Sequence, residues 1–375
     1  MSKTLVIILS ETRAHELTFE NFKKNVIDEL QADLCLCIGV TSNYDYNNPF
    51  YRLAEYKFTY DEPDDFGDAF DYAYNKISID KPKYEILHNY NALHGKINTP
   101  KQSSDTITYY GEQNNINDFD DNTIVIHTKD FPNEKWRNQV YGNNDDRNNI
   151  VKEDNVITYK KPLHWRTFLR VKDQFLGGIK DDYHQHPGSA GILIFFRWFL
   201  LENLKEQQLL DKYDRFIITR SDFLYQLPHP NIEYMDEKKI WIPDGEHYGG
   251  YTDRHVILSK NNIEPYLNIL NKFVMSSNDY YMKMKDKYNW NLEQVIKFHL
   301  QQNNVIHFVN HFPYIMFSVR NMNGTTRWSS GYFSSKLGYF IKYKSEYDKS
   351  IAYKKEFIES SLSIDAYYRS KNIYV

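Results

Sequence analysis

Residues 4–40, TLVIILSETRAHELTFENFKKNVIDELQADLCLCIGV, decide the fold. Thr4 to Leu9 is an unbroken apolar, β-branched run that stops at the polar turn Ser10-Glu11-Thr12-Arg13. Phe19, Phe22, Val26, Ile27 and Leu30 then recur at helical spacing, and Ala32 to Val40 reads as a second strand. Strand, helix and strand in so short a span make a βαβ unit with parallel pairing. That pairing puts the Ser10 to Arg13 turn at the carboxyl edge of the sheet, where open α/β folds bind their ligands. The expected class is therefore α/β: a Rossmann-like, mostly parallel mixed sheet flanked by helices.

Working outward, Tyr44 to Tyr60 is aromatic and turn-rich, and Phe66 to Ile77 has the pattern of a short helix. Residues 98–161 are loaded with Asn, Asp, Gly and Gln, the composition of an insertion or long mobile loop, with Thr123 to Thr128 a strand inside it. Ser189 suits the cap of a helix through Ile192, Phe195, Phe196, Phe199, Leu200 and Leu204, apolar on nearly every side and so deeply packed. Asp214 to Thr219 is a buried strand that delivers Arg220, Ser221 and Asp222 to its carboxyl end. Ile240 to Pro243 leads likewise into the polar loop Asp244 to Arg254. Helices are expected over Ile263 to Met275 and Leu292 to Gln302, and a strand over Val305 to Val309. These elements fall into one large domain, 1–335, with its insertion, and a helical, basic, aromatic extension, 336–375.

Composition limits the function classes. The 46 Lys+Arg against 50 Asp+Glu give a net charge of -4, which excludes a strongly basic nucleic-acid binder. Cys35 and Cys37 lie two apart on a strand, poorly placed to bridge each other, and fit core positions in a reducing, cytoplasmic setting. The opening apolar run is too short for a secretory signal. The longest one, Ala190 to Leu201, carries Arg197 and falls short of a membrane span. His184-x-His186 and His307-x-x-x-His311 have spacings that zinc can use, but lack a companion thiolate or carboxylate pattern. No phosphate-binding glycine loop, nucleophile elbow or Cys-His pair points to an ATPase or a hydrolase.

Asp222, an acidic residue at the end of a buried strand beside Arg220, suits a divalent cation held against a diphosphate, with the arginine on the phosphate oxygens. A strand-end salt bridge is the plainer reading of the same tripeptide. Taken in order, the motifs resemble nucleotide-sugar-dependent glycosyltransferases of the GT-A fold, in particular the WavE-like lipopolysaccharide and capsule group and related enzymes of large DNA viruses. The Ser10 to Arg13 turn is similar to that family's first nucleotide-contacting loop, without its usual glycine. Tyr213 to Asp222 resembles the strand ending in Arg-x-Asp, the family's version of the metal-binding Asp-x-Asp. Because Arg220 fills the first acidic position, only Asp222 carries over as a ligand, and a metal-independent mechanism stays open. Trp241 to Arg254 resembles the next block, Glu293 a glutamate early in a later helix, and Arg320 with Asn323-Gly324 a closing element.

The resemblance implies a nucleoside diphosphate sugar donor, a glycan, lipid-linked or protein-linked acceptor, and Mn2+ or Mg2+ at Asp222. Ser10, Thr12, Arg13, Arg220, Ser221, Arg254 and Arg320 would face the donor. Asp253, Asp244, Glu246 and Glu293 are the candidate acids and bases, with Asp253 first because it matches the acidic residue of its block. Asp253 and Arg254 also suit a plain pair that ties the loop down, Glu293 a carboxylate favoured by a helix N-terminus, and Gly249-Gly250 either close approach to a ligand or a tight turn. The rivals are a sugar nucleotidyltransferase and a non-catalytic carbohydrate-binding protein. The 336–375 segment carries eight Lys+Arg against five Asp+Glu, a local charge of +3, which suits a peripheral contact with an anionic membrane or a solvated terminal helix.

Overall fold

The computed structural model describes residues 3–79, 124–127, 150–153, 156–159, 178–179, 189–275, 291–320 and 331–374. The chain divides into two compact units, one of Met1–Pro63, Ile192–Ile269 and Asn291–Val375, the other of Asp64–Gly191 and Leu270–Trp290.

The first unit opens with strands β1 (Thr4–Ser10), β2 (Asp33–Val40) and β3 (Tyr56–Asp61). In the second unit, β4 (Ile124–His127), β5 (Ile150–Glu153) and β6 (Val156–Tyr159) form an antiparallel sheet with β6 central, and a helix spans Phe66–Ile79. The first unit resumes with β7 (Arg215–Thr219), β8 (Phe223–Tyr225), β9 (Ile240–Pro243), β10 (Val256–Ser259) and β11 (Val309–Phe312). It closes with β12 (Met316–Ser318), β13 (Tyr332–Ser334) and β14 (Tyr339–Ile341).

The main sheet runs β11-β9-β10-β7-β1-β2-β3. All its neighbours pair in parallel except β10, which runs against both β7 and β9, so the fold is the expected mixed, mostly parallel α/β sheet. β1 is buried along its whole length, as an unbroken apolar strand covered on both faces must be. Alternation splits its side chains. Val6 and Ile8 join Leu34, Leu36, Phe22, Val26 and Ile217 in one core. On β2, Cys35 and Cys37 alternate with these residues, and the Cys37 Sγ meets the Phe196 carbonyl at 3.7 Å, under the helix Ala190–Glu206. Both thiols are free and buried, and burial pushes both up.

Residues 336–375 belong to the same unit as the sheet. Ile341, Tyr367, Tyr368 and Ile373 are buried, and the Tyr368 hydroxyl donates to the Pro228 carbonyl. No helix among the described residues is long and apolar enough to cross a membrane.

Three local expectations need correction. The turn-rich stretch to Tyr60 holds β3, an edge strand in which Phe58 is the buried side chain, so it carries no apolar run. The strand expected at Val305 begins at Val309, because Asn304 takes a left-handed φ of 56° and Ile306–Phe308 makes a 3-10 turn. The helix expected from Ile263 starts at Lys260 and breaks at Asn268 into Lys260–Leu267 and Ile269–Met275. The Leu292–Gln302 helix stands where expected.

Candidate functional site

The parallel pairing of β1 with β7 brings two sequence-distant turns side by side, and Ser221 sews them together. The Arg13 N–H donates to the Ser221 Oγ at 2.7 Å, and that hydroxyl faces the Glu11 carbonyl at 3.0 Å. Thr18, in the helix after the first turn, donates its hydroxyl to the Ser221 carbonyl at 2.7 Å. Ser221 is thus buried as a fastener between Arg13 and its own neighbours Arg220 and Asp222. A third strand reaches the same place: the Val319 N–H donates to the Asp222 carbonyl at 2.8 Å. Beyond it, Arg320 N–H meets Phe340 and Lys342 N–H meets Ser318, so the hairpin β13-β14 delivers Lys342 beside Arg320.

The result is a cationic bank. Asp222 is 1% exposed and accepts both N–H groups of the Arg220 fork, each at 2.9 Å. Burial opposes its charge, but the Arg220 guanidinium, with Lys342 and Arg13 beyond, holds its carboxyl well below the usual carboxylate range. Arg320 is buried and within electrostatic reach of Asp222, Arg13 and Arg220. Lys342 is 9% exposed with no carboxylate at ion-pair distance among the described residues. Its ammonium lies 4.8 Å from the Tyr343 ring centre. Burial, then Arg220, Arg254 and Arg320, push it down to about 6 against the pull of Asp222.

Facing it is an acidic bank. Asp253 lies 3.8 Å from the Arg254 guanidinium, and Arg254 forms an ion pair with buried Glu346. Arg197, read from sequence only as an interruption in an apolar helix, is fully buried and donates to the Asp253 carbonyl at 3.0 Å. Glu293 follows the cap Asn291, whose side chain accepts the Gln294 N–H at 2.9 Å. Burial first and the Asp253 charge second push the Glu293 carboxyl up to about 7. The loop and this helix touch backbone to backbone: a Cβ on Gly250 would lie 1.9 Å from the Glu293 carbonyl oxygen, and Tyr251 N–H donates to that oxygen at 3.0 Å. Only glycine allows that approach. Gly249, at φ +85°, supplies the left-handed turn before it.

The remaining candidates make contacts with other residues. Ser10 closes β1 at φ 85°. Thr12 bonds to the Tyr44 hydroxyl at 2.9 Å and accepts from Asn48 at 3.1 Å, next to a mutual edge-on cluster of Tyr44, Tyr46 and Tyr51. Asp244 pairs with Lys349 at 3.3 Å and accepts from the Tyr353 hydroxyl. Burial opposes charge on Glu246, while hydrogen bonds from Ser345 and Tyr248 favour it and bring its carboxyl down on balance. His184, His186, Asn323 and Gly324 lie outside the described residues.

Two places bear on a metal. At Asp222, an added divalent cation meets a carboxylate already paired at both oxygens and three further cationic side chains, Arg13, Arg320 and Lys342. As placed, those residues do not fit it, because both carboxylate oxygens are taken and like charges within electrostatic reach repel a cation in a poorly solvated site. Elsewhere, Asp244, His247 and His311 bring one ligand atom each within 4.8 Å of one another. There Lys349 already lies on the Asp244 carboxylate, and His247 Nδ1 accepts the Thr252 N–H at 3.3 Å.

Of the residues picked from sequence, the structure brings together Arg13, Arg220, Ser221, Asp222, Asp253, Arg254, Glu293 and Arg320. Lys342, Tyr343, Glu346 and Arg197 were missed. Lys342 follows the short strand Tyr339–Ile341, whose sequence carries no local signal for it. No family model matches the chain, and no curated protein matches it. Among solved structures, it is similar to the apo form of mouse xyloside xylosyltransferase 1, with 9% identity over 84% of this chain and 86% of that one and a TM-score of 0.32.

Proposed function

We propose that this chain is a glycosyltransferase that moves a sugar from a nucleoside diphosphate donor to a hydroxyl of a glycan, lipid-linked or protein-linked acceptor. The observation that carries this reading is the meeting of the two banks at one sheet edge: a cluster of basic side chains for a diphosphate, beside a carboxylate raised toward neutrality for a proton. Arg13, Arg220, Arg320 and Lys342 bind the diphosphate, where charge-assisted hydrogen bonds are strong. In a single displacement, the acceptor oxygen bonds to the anomeric carbon as the bond from that carbon to the diphosphate oxygen breaks, and the electron pair leaves with the diphosphate. The hydroxyl proton passes to Glu293, whose carboxyl is raised to about 7 by burial and then by the Asp253 charge, near the working pH of a general base. The Arg197 and Gly250 contacts hold Asp253 and Glu293 in place. Tyr46, 55% exposed beside Tyr44 and Tyr51, offers a ring for the nucleobase or a sugar face.

A thermal-shift screen of UDP, GDP, CDP and dTDP sugars tests it, because a ligand that binds only the folded state raises Tm by mass action. One nucleotide class should raise Tm, and sugar should then appear on an acceptor. No shift with any donor at saturating concentration would sink the reading in favour of a carbohydrate-binding protein, and accumulation of nucleotide sugar from a nucleoside triphosphate would favour the nucleotidyltransferase.

A further inference from the structure

We propose that the diphosphate is held here without a divalent cation, with Lys342 taking the place that a metal would have between the phosphates and Asp222. The inference rests on the glycosyltransferase reading and names how its donor is bound. Three observations lead to it. Asp222, the one carboxylate at the end of β7, spends both oxygens on the Arg220 fork, so it turns Arg220 rather than a metal toward the ligand. Lys342 is nearly buried with no ion-pair partner among the described residues, so it lacks the compensation that a buried ammonium needs and that an anion would supply. The groups facing Lys342 are Arg220 and Asp222 from the β7 turn, Arg254 from the loop before β10, and Arg320 from the strand end after β12. Asp222 is spent on Arg220 and Glu346 on Arg254, so neither carboxylate makes an ion pair with Lys342.

Two phosphates carry about the charge that such a cluster lacks, and Lys342 and the arginines present several donors to their oxygens. The hairpin β13-β14 fixes Lys342 through the Lys342 N–H to Ser318 bond and the bridge between Val319 and Ile341. The lysine is therefore placed by the sheet framework rather than by a flexible loop.

Titration calorimetry with inorganic pyrophosphate and with UDP, in EDTA and then in Mn2+ or Mg2+, tests the inference on the full chain. The expected result is binding in EDTA with an affinity that added cation changes little. Lys342→Met should weaken it by about 10–100-fold, the size of one lost charge-assisted bond, while Lys342→Arg stays within a few-fold of the native chain. Tm of each variant, read alongside, separates lost binding from lost folding. Binding that appears only with a cation, or that Lys342→Met leaves intact, overturns the inference and keeps the transferase reading. Absence of binding to pyrophosphate, UDP and every donor sugar in all conditions overturns both.

Discussion

The two banks of the site handle buried charge in opposite ways. At Asp222 a carboxylate is kept ionised by a guanidinium on both of its oxygens. At Glu293, burial and a second carboxylate drive the same chemical group toward its neutral form. The side chain type is not what differs. What differs is the neighbour that the backbone delivers: the two-residue spacing of Arg220 and Asp222 in one turn, against the meeting of a loop and a helix that brings Asp253 toward Glu293. A bank that stays charged can hold an anion, and a bank that hovers near neutrality can move a proton.

The sharpest way to break this contrast is Glu293→Gln. Turnover should fall by about 100–10,000-fold, the usual contribution of a positioned base, while pyrophosphate binding is kept. Loss of binding with unchanged turnover would reverse the assignment of the banks. The same variant carries a pH signature. Because the folded carboxyl is raised, the native chain loses stability as pH climbs from the ordinary carboxylate range through about 7. The variant should lack that slope in a series of melts.

On the other bank, Arg220→Gln strands the buried Asp222 charge and should cost about 3–5 kcal/mol in a urea titration. Asp222→Asn should cost less, because an amide is cheaper to bury than an unpaired carboxylate. Costs below about 1 kcal/mol for both variants would mean that the pair is solvated and the bank is not a low-dielectric site.

The smallest effect sharpens the comparison instead. Lys342 is held down to about 6, so between there and its ordinary value near 10.5 the unfolded chain binds the extra proton and stability rises with pH. Lys342→Met removes that penalty. Its Tm should exceed the native one below neutral pH and converge with it toward alkaline pH, by roughly 2–4 °C for each kcal/mol relieved. A Tm gap that does not vary with pH would show that the lysine is solvated.

The parts of this architecture legible in the sequence share a physical cause. β1, β2, β7 and β9 are buried on both faces, so their residues form continuous apolar runs, and the loops that follow them stand out as abrupt polarity. β3 escaped because an edge strand needs little more than Phe58 inside. Arg13, Arg220 and Asp222 stand out as candidates because each follows such a run, whereas Asp253 and Glu293 enter through the resemblance of their blocks. Lys342 and Arg197 do not stand out, because long-range pairing decides their neighbours. A lysine in a basic, tyrosine-rich segment and an arginine inside an apolar helix carry no local mark of what they will face.

The contact of Gly250 with Glu293 has a mechanical consequence. With backbone against backbone and no side chain between them to deform, the loop that ends in Asp253-Arg254 and the first turn of the Leu292–Gln302 helix are coupled like meshed gears. Neither can be repositioned alone, so an alteration that swings one of them carries the other along, and the spacing of the two acids survives displacements that would scatter residues on independent hinges.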